Sequence, residues 1–184
     1  YAFDQDISSW DVSSVSDFRR MFQNATAFDK NISNWDVSSG TSLLQDMFDS
    51  ATLMIANQGA TATPDATYFA VPTLSSSTPA DNATAVATTS NIVLTFSEAV
   101  DVESGNIVIK KTSDNSTVET IDVTSGQVTG SGSTQITINP SSDLEEQTEY
   151  YVQIAATAFD DGSSNSYAGI SDTTTLSFTT ADET

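Results

Sequence analysis

The sequence predicts a mainly β protein in two parts: a short α/β repeat solenoid end, with two coils of about 25 residues and a cap, then an Ig-like β-sandwich of about seven strands. The first half contains an internal repeat, and the second half alternates apolar and polar residues with a period of two. Ser, Thr, Asn and Asp dominate the polar residues, which favours strands and turns over long helices. We predict the repeats and cap over residues 1–71, a linker and first edge strand over 72–80, and the sandwich over 74–184.

The repeat consists of two nearly identical segments. A stretch of 13 residues recurs at an offset of 25, and two dipeptides further along recur at an offset of 26. One inserted residue, most simply Gly40, explains the change of offset. A unit this short cannot fold alone, but stacked coils bury their apolar sides against each other. The matching segments are residues 2–14 with 27–39, residues 21–22 with 47–48, and residues 25–26 with 51–52.

Each coil is predicted to contain an extended, Ser-rich segment followed by a short helix. Residues 17–23 are predicted to be helical because the apolar residues there are spaced by three and four positions. Ser16 or Asp17 could cap this helix. Residues 53–71 lose the pattern and are expected to form an irregular cap. Because about three coils are normally needed for stability, we expect further coils upstream.

Two tryptophans occupy equivalent positions in the two coils, at Trp10 and Trp35. They could form a ladder that stacks carbohydrate, but core packing beside the isoleucine of each coil is favoured. The equivalent acids Asp11 and Asp36 are interpreted as caps of tight turns rather than as ligands.

Residues 1–52 resemble the repeats of BspA-like leucine-rich-repeat surface proteins of the mycoplasma-lipoprotein type. The pattern of that family is approximately F-x-x-D-I-S-x-W-D-V-S-x-V-x-x-M-x-x-M-F-x-x-A. The chain departs from it at Phe18, where Met is usual, at Asn31, and near Gly40 and Thr41. The resemblance implies adhesion at a cell surface rather than catalysis. The first coil matches at Phe3, Asp6, Ile7, Ser8, Trp10, Asp11, Val12, Ser13, Val15, Met21, Phe22 and Ala25.

In the second half, short apolar segments are separated by turns every 8–12 residues, which is typical of an Ig-like sandwich. The spacing of Leu144, Thr148 and Tyr150 predicts a tyrosine corner, in which Leu144 and Tyr150 face the core. The predicted strands lie near residues 73–80, 92–97, 107–109, 118–123, 136–138, 150–154 and 176–178.

Residues 74–180 resemble bacterial Ig-like domains of the S-layer SbsA type. The chain departs from that family at residues 145–147 and in the Ser-rich loop after Asp160. The resemblance implies a spacer, stalk or adhesive module of a large extracellular protein, and the fold alone implies no enzyme. The matching stretches are residues 78–84, 92–100, 105–107, 138–140, 144–152, 160–169 and 176–180.

Charge and composition exclude several functions. The chain has 25 acidic and 5 basic residues, a net charge of −20, and neither His nor Cys. The negative charge disfavours binding to nucleic acid and to anionic membranes. Without His and Cys, Ser-His-Asp triads, His-ligated zinc and thiolate chemistry are impossible. Carboxylate chemistry and oxygen-ligated cations remain.

Two acidic clusters are candidate calcium sites, and calcium is the only cofactor that the sequence suggests. Calcium takes six to eight oxygen ligands, although a solvated Asx turn explains the same residues of the first cluster. The second cluster follows the strand that ends near residue 97 and could fall at the same end of the sandwich. The first cluster is Asp160, Asp161, Ser163 and Asn165, and the second is Glu98, Asp101 and Glu103.

The sequence therefore predicts a non-catalytic segment of a large, secreted, adhesin-type surface protein. The repeats would form its interaction surface and the sandwich a spacer. One alternative is a structural subunit of an extracellular filament, surface layer or viral appendage, and another is a calcium-rigidified adhesin module. The expected partners are surface or matrix proteins, glycans or copies of the chain. Neither nucleic-acid binding nor membrane insertion of this segment is expected.

Overall fold

A computed structural model describes residues 3–183 of the chain. Ala2, which begins the repeat alignment, and the terminal residues Tyr1 and Thr184 lie outside the described residues. The chain divides into two compact units. The first consists of Tyr1–Val71 and Gly162–Asn165, and the second of Pro72–Asp161 and Ser166–Thr184.

The second unit is a β-sandwich of two sheets, so the prediction of a mainly β protein is confirmed. In the first sheet the strand order is β1-β3-β7-β6, and β9 pairs with one end of β3. These strands are β1 (Leu74–Thr78), β3 (Ile92–Val102), β6 (Val128–Thr129), β7 (Ser133–Ile138) and β9 (Phe159–Asp160).

The second sheet has the order β2-β10-β8-β4-β5. Its pairs are antiparallel except for β2 and β10, which run parallel. These strands are β2 (Ala83–Val86), β4 (Asn106–Lys111), β5 (Thr117–Asp122), β8 (Glu149–Ile154) and β10 (Ser177–Thr180).

The sandwich core follows from the alternation of apolar residues. On β3, Ile92, Leu94 and Phe96 are buried, whereas the intervening Val93 and Thr95 are half-buried. Residues on the facing strands, such as those of β4 and β8, complete a single apolar cluster. Burying a Leu, Ile or Phe side chain contributes about 1.5–3 kcal/mol.

The predicted tyrosine corner is confirmed. The backbone N–H of Glu145 donates a hydrogen bond of 2.9 Å to the hydroxyl oxygen of Tyr150. Tyr150 is fully buried and Leu144 nearly so. The corner fixes the loop that leads into β8 to the core of the sandwich.

The first unit is built from turns, and the predicted helix over residues 17–23 is wrong. Arg20 and Asn24 have φ angles of 57° and 61°, which are incompatible with a right-handed helix. Among the described residues of this unit, the helical segments are a 3₁₀ turn at Ser38–Gly40, α1 at Thr52–Asn57 and a 3₁₀ turn at Ala66–Phe69. The expected α/β repeat is therefore not seen, and the region predicted as an irregular cap contains a short helix.

The two repeats are joined by a row of backbone hydrogen bonds, which we call the inter-repeat ladder. Between residues 18 and 24 of the first repeat, every second N–H donates to a carbonyl 25 positions later, at distances of 2.8–3.2 Å. In an α-helix these N–H groups would donate to carbonyls four residues earlier in the same segment. In the ladder they donate to the second repeat instead. The donor–acceptor pairs are Phe18–Leu43, Arg20–Gln45, Phe22–Met47 and Asn24–Asp49.

The inserted residue Gly40 lies against the ring of Phe18. A Cβ atom at Gly40 would lie 2.8 Å from two carbon atoms of that ring. Because real Cβ contacts are longer than this, the close approach requires glycine. The insertion is therefore accommodated by a residue without a side chain.

Candidate functional site

The two equivalent tryptophans have opposite environments. Trp35 is 2% exposed, whereas Trp10 is 60% exposed. The prediction of core packing is confirmed for Trp35 and wrong for Trp10. The indole N–H of Trp35 donates a buried hydrogen bond of 3.1 Å to the carbonyl of Ile7, and Phe18 and Phe22 pack against its ring. These groups all come from the first repeat, which explains why the first repeat's own tryptophan is not covered in the same way.

Many of the acidic side chains stabilise tight turns by accepting backbone hydrogen bonds. Eight described aspartates accept a hydrogen bond from the backbone N–H two residues later, and most of those later residues are Ser or Thr. The prediction that Asp11 and Asp36 cap turns is confirmed, since they accept from the N–H groups of Ser13 and Ser38. The eight aspartates are Asp6, Asp11, Asp17, Asp36, Asp65, Asp114, Asp122 and Asp172.

These hydrogen bonds favour the ionised carboxylates. The Ser13 hydroxyl, followed by the Ser13 N–H, lowers the pKa of Asp11 below its usual value. Two backbone N–H groups and two hydroxyls, from Thr174 and Thr175, lower the pKa of Asp172 to about 2. Such carboxylates accept hydrogen bonds and are poorly suited to donate a proton at neutral pH.

The structure brings parts of the two predicted calcium clusters together. Asp101 on β3 is the direct cross-strand neighbour of Asp160 on β9. The pKa of Glu98 is raised, first by burial and then by the charge of Asp161. Asp161 itself is buried.

The remaining predicted ligands are Glu103, Ser163 and Asn165. The side chain of Glu103 is exposed. Ser163 and Asn165 belong to the first unit. There the Ser163 carbonyl accepts from the Ser33 hydroxyl at 3.0 Å, and the Asn165 amide donates to the Tyr68 carbonyl at 3.2 Å. Within residues 3–183, no three acids are arranged so that they could hold a metal ion. Calcium binding stays a prediction.

Two features were missed at the level of sequence. The Asp-x-Ser/Thr spacing of most turn-forming acids is readable from the sequence, because Asp favours such turns. The exposure of Phe3 and Met21, which accompanies that of Trp10, has no local sequence signal. It depends on what packs against the first repeat.

In the part of the chain that the structure describes, no helix is long and apolar enough to cross a membrane.

Some solved structures are similar to the chain. The crystal structure of the S-layer protein rSbsC is 20% identical and covers 81% of this chain and 19% of its own, with a TM-score of 0.43. CopC from Methylosinus trichosporium OB3b is 18% identical and covers 61% of this chain and 96% of its own, with a TM-score of 0.44. The chain thus spans about a fifth of the length of the S-layer structure. No curated protein matches the chain.

Two protein families match different parts of the sequence. A family described as a Mycoplasma protein of unknown function matches residues 1–67. The narrower BspA-like and SbsA-type assignments stay predictions. The bacterial Ig-like domain family matches residues 70–180, which is more than half of the chain. The protein therefore belongs to the bacterial Ig-like domain family.

Proposed function

We propose that the chain is a non-catalytic segment of a large extracellular surface protein, in which the repeats present an interaction surface and the sandwich is a spacer. The observation that carries this proposal is that many aspartate carboxylates accept hydrogen bonds within turns. Carboxylates are the main candidates for acid–base chemistry in a chain without His and Cys, and eight of them accept hydrogen bonds from their own turns. The bacterial Ig-like domain family, which matches residues 70–180, is also a non-enzymatic family.

The repeats support an interaction role through their surface. Within the proposal they are the last coils of a BspA-like stack, closed by residues 53–71. The inter-repeat ladder gives such a stack a fixed register without helices. Regularly repeated turns place equivalent side chains in rows, and such rows form the extended binding surfaces of repeat proteins.

The sandwich supports a spacer role. Its core is one apolar cluster that involves both sheets, and its charge is strongly negative, with net −14 over residues 75–184. A rigid, self-repelling module stays soluble and keeps its neighbours apart. The proposal assigns it to the SbsA type of extracellular Ig-like modules.

Proteolysis of intact cells tests the proposed location. Cells that carry the gene are treated with a protease that cannot enter them, and the protein is detected with antibodies raised against the 184-residue chain. We expect the antibody signal to disappear while a cytoplasmic protein in the same samples survives. A signal as resistant as that of the cytoplasmic protein would contradict an extracellular location.

Self-assembly through sheet edges is a second candidate function. Strands β1 and β5 lie at sheet edges, and Val118 on β5 is 42% exposed. Unpaired edges can pair with a second copy. Sedimentation velocity over a wide concentration range distinguishes the two functions, because a spacer remains a 19.5 kDa monomer whereas a filament or layer subunit grows reversibly.

A calcium-rigidified module is a third candidate, favoured by the cross-strand position of Asp101 and Asp160. Calorimetric titration of calcium into the full chain tests it. Heat of binding and a higher melting temperature would support calcium, and a flat titration with unchanged melting would remove it.

A further inference from the structure

The only two arginines of the chain are adjacent in the sequence and line one pocket. Arg19 and Arg20 are two of only 5 basic residues, against 25 acidic residues. Together with Asp17 and Gln45 they line a pocket of about 340 Å³ in the first unit. This volume falls within the range of ligand sites, which begins at about 300 Å³. A pocket that contains both arginines of so acidic a chain points to a ligand with a negative charge.

The backbone explains how two consecutive side chains reach the same pocket. In a strand, neighbouring side chains point to opposite faces, but Arg20 has a φ angle of 57°, so the chain turns here. Both residues are held through their backbones. The N–H of Arg19 donates to the carboxylate of Asp17 at 3.0 Å, and the N–H of Arg20 donates to the carbonyl of Gln45 at 3.2 Å. The pocket is therefore built by a turn of the first repeat and by its hydrogen-bonded neighbour in the second repeat.

Asp17 holds Arg19 in place along one edge of its guanidinium group. The Nε of Arg19 donates to Oδ1 of Asp17 at 3.0 Å, and its Nη2 donates to Oδ2 at 2.6 Å. The Arg19 side chain, followed by the Arg19 backbone N–H, lowers the pKa of Asp17 to about 2, so this carboxylate stays ionised at neutral pH. A guanidinium group has five N–H donors. Among the described residues, those of Nη1 have no acceptor, so they remain available to a ligand.

Arg20 is held less tightly and has more available donors. Its Nε lies 3.6 Å from Oδ2 of Asp46, which is longer than a hydrogen bond. Within residues 3–183, no side-chain donor of Arg20 has an acceptor at a shorter distance. Guanidinium groups bind carboxylates through paired, parallel hydrogen bonds. The two arginines can therefore bind one carboxylate of a ligand, while Asp17 and Gln45 offer acceptors in the same pocket.

We propose that this pocket binds a uronic acid residue of an acidic polysaccharide. The arginines bind its carboxylate, and the side-chain oxygen atoms of Asp17 and Gln45 accept hydrogen bonds from its hydroxyl groups. An acidic peptide is a poorer ligand, because the side chain of Asp or Glu brings a carboxylate but no hydroxyl donor, so Asp17 would only repel it. This ligand class rests on the proposed interaction role of the repeats and specifies what their surface recognises.

The net charge of the chain does not prevent such binding. At physiological ionic strength, interactions between exposed charges are largely screened beyond about 8 Å. Distant acids therefore contribute little, whereas the two guanidinium groups contact the ligand directly. The third basic residue of the first unit, Lys30, is paired with Asp4 at 2.9 Å and serves as a control of equal charge.

NMR spectroscopy observes this site directly, because Arg19 and Arg20 give the only arginine Nε–H signals of the chain. The full chain is titrated with a short oligogalacturonate in the presence of EDTA, which prevents calcium from bridging protein and ligand. The matched probe is the same oligosaccharide with its carboxylates converted to methyl esters. We expect the acid to shift both arginine signals in a saturable way, and the ester to bind at least about fivefold more weakly.

Substitutions test each arginine separately. Arg19→Lys and Arg20→Lys keep the charge but remove the planar pair of donors, so we expect each to weaken oligogalacturonate binding about fivefold. We expect Lys30→Gln, which removes a charge, to leave the affinity nearly unchanged. Amide spectra check that each variant is folded. If Lys30→Gln weakened binding as much as either arginine variant did, net charge rather than the pocket would be responsible, and the inference would be overturned.

The titration of the unsubstituted chain can overturn the inference by itself. Arginine signals that do not shift with oligogalacturonate would do so. An equal affinity for the methyl ester or for pentaglutamate would also do so, because the pocket would then not distinguish a uronate from a neutral sugar or an acidic peptide. None of these results bears on the extracellular location, which proteolysis of intact cells tests separately. Oligogalacturonate binding by a chain that proves to be intracellular would contradict the proposed function alone.

Discussion

At the scale of single residues, hydroxyl and carboxylate groups are used mainly to hold backbone in place. Asp172 illustrates this, since it accepts bonds from both the N–H and the hydroxyl groups of Thr174 and Thr175. Such bonds satisfy backbone donors in loops that have no ladder to join. A chain rich in Ser, Thr and Asp can thus form many tight turns with few glycines.

The tyrosine corner gives a prediction at this scale. Tyr150→Phe removes the acceptor of the Glu145 N–H in a partly buried site, and an unsatisfied buried donor costs about 1–3 kcal/mol. We expect the free energy of unfolding, measured by urea denaturation, to fall by that amount.

Tyr151→Phe is the matched control for the corner. The Tyr151 hydroxyl donates to the side chain of Asn115, which lies in an exposed turn, so water can replace it and the cost is about 0.5–1.5 kcal/mol. A loss for Tyr150→Phe no larger than for this control would contradict a stabilising corner.

Glu98 gives a prediction about pH. Burial and the charge of Asp161 raise its pKa above the ordinary value of 4.5, so the folded state favours protonated Glu98. The contribution of protonated Glu98 to the free energy of unfolding is fully present below pH 4.5. It is lost as the pH rises through the raised pKa of the folded state. We therefore expect Glu98→Gln to increase the free energy of unfolding at pH 7 and to have less effect at pH 4.

Urea denaturation of the original chain and of Glu98→Gln at pH 7 and pH 4 measures the change in the free energy of unfolding at each pH. Glu103→Gln removes an exposed carboxylate from the next turn and serves as the control. If Glu98→Gln had the same effect at both pH values, the ionisation of Glu98 would not be coupled to folding.

At the scale of elements, seven of the ten strands were predictable, whereas the short strands β2, β6 and β9 and the coil structure were not. The alternation on β3 identified its buried face correctly, because successive side chains of a strand point to opposite faces of the sheet. The apolar residues at 17–23 also fit a helical spacing. That spacing does not reveal the positive φ angles at Arg20 and Asn24, which exclude a helix. Similarly, the sequence indicated that tryptophan belongs in the repeat core, but the burial of each one depends on its neighbouring repeat.

Gly40 gives a prediction for the packing of the repeats. Gly40→Ala places a Cβ 2.8 Å from the ring of Phe18, and such overpacking typically costs about 1–3 kcal/mol. We expect a lower melting temperature, measured by circular dichroism. Gly126→Ala is the control, because a Cβ at Gly126 meets no atom within 4 Å. Equal melting temperatures for the two variants would show that the contact with Phe18 relaxes freely.

At the scale of the whole molecule, the two units use different means to satisfy their backbone. The sandwich pairs strands into two sheets, whereas the repeats combine tight turns with the inter-repeat ladder. Neither solution needs a disulfide, and the net charge of −20 keeps such a chain soluble. The candidate calcium ligands were only partly predictable, because they depend on how distant loops meet.

Amide hydrogen exchange of the full chain, resolved by NMR, tests most directly whether the repeats are stacked through their backbones. The account predicts that the N–H groups of Phe18, Phe22 and Asn24, which belong to the ladder, exchange much more slowly than that of Arg19. Among the described residues, the N–H of Arg19 bonds to the exposed carboxylate of Asp17 alone, so it opens easily. Exchange of all four at the rate of an exposed turn would contradict the stacked arrangement.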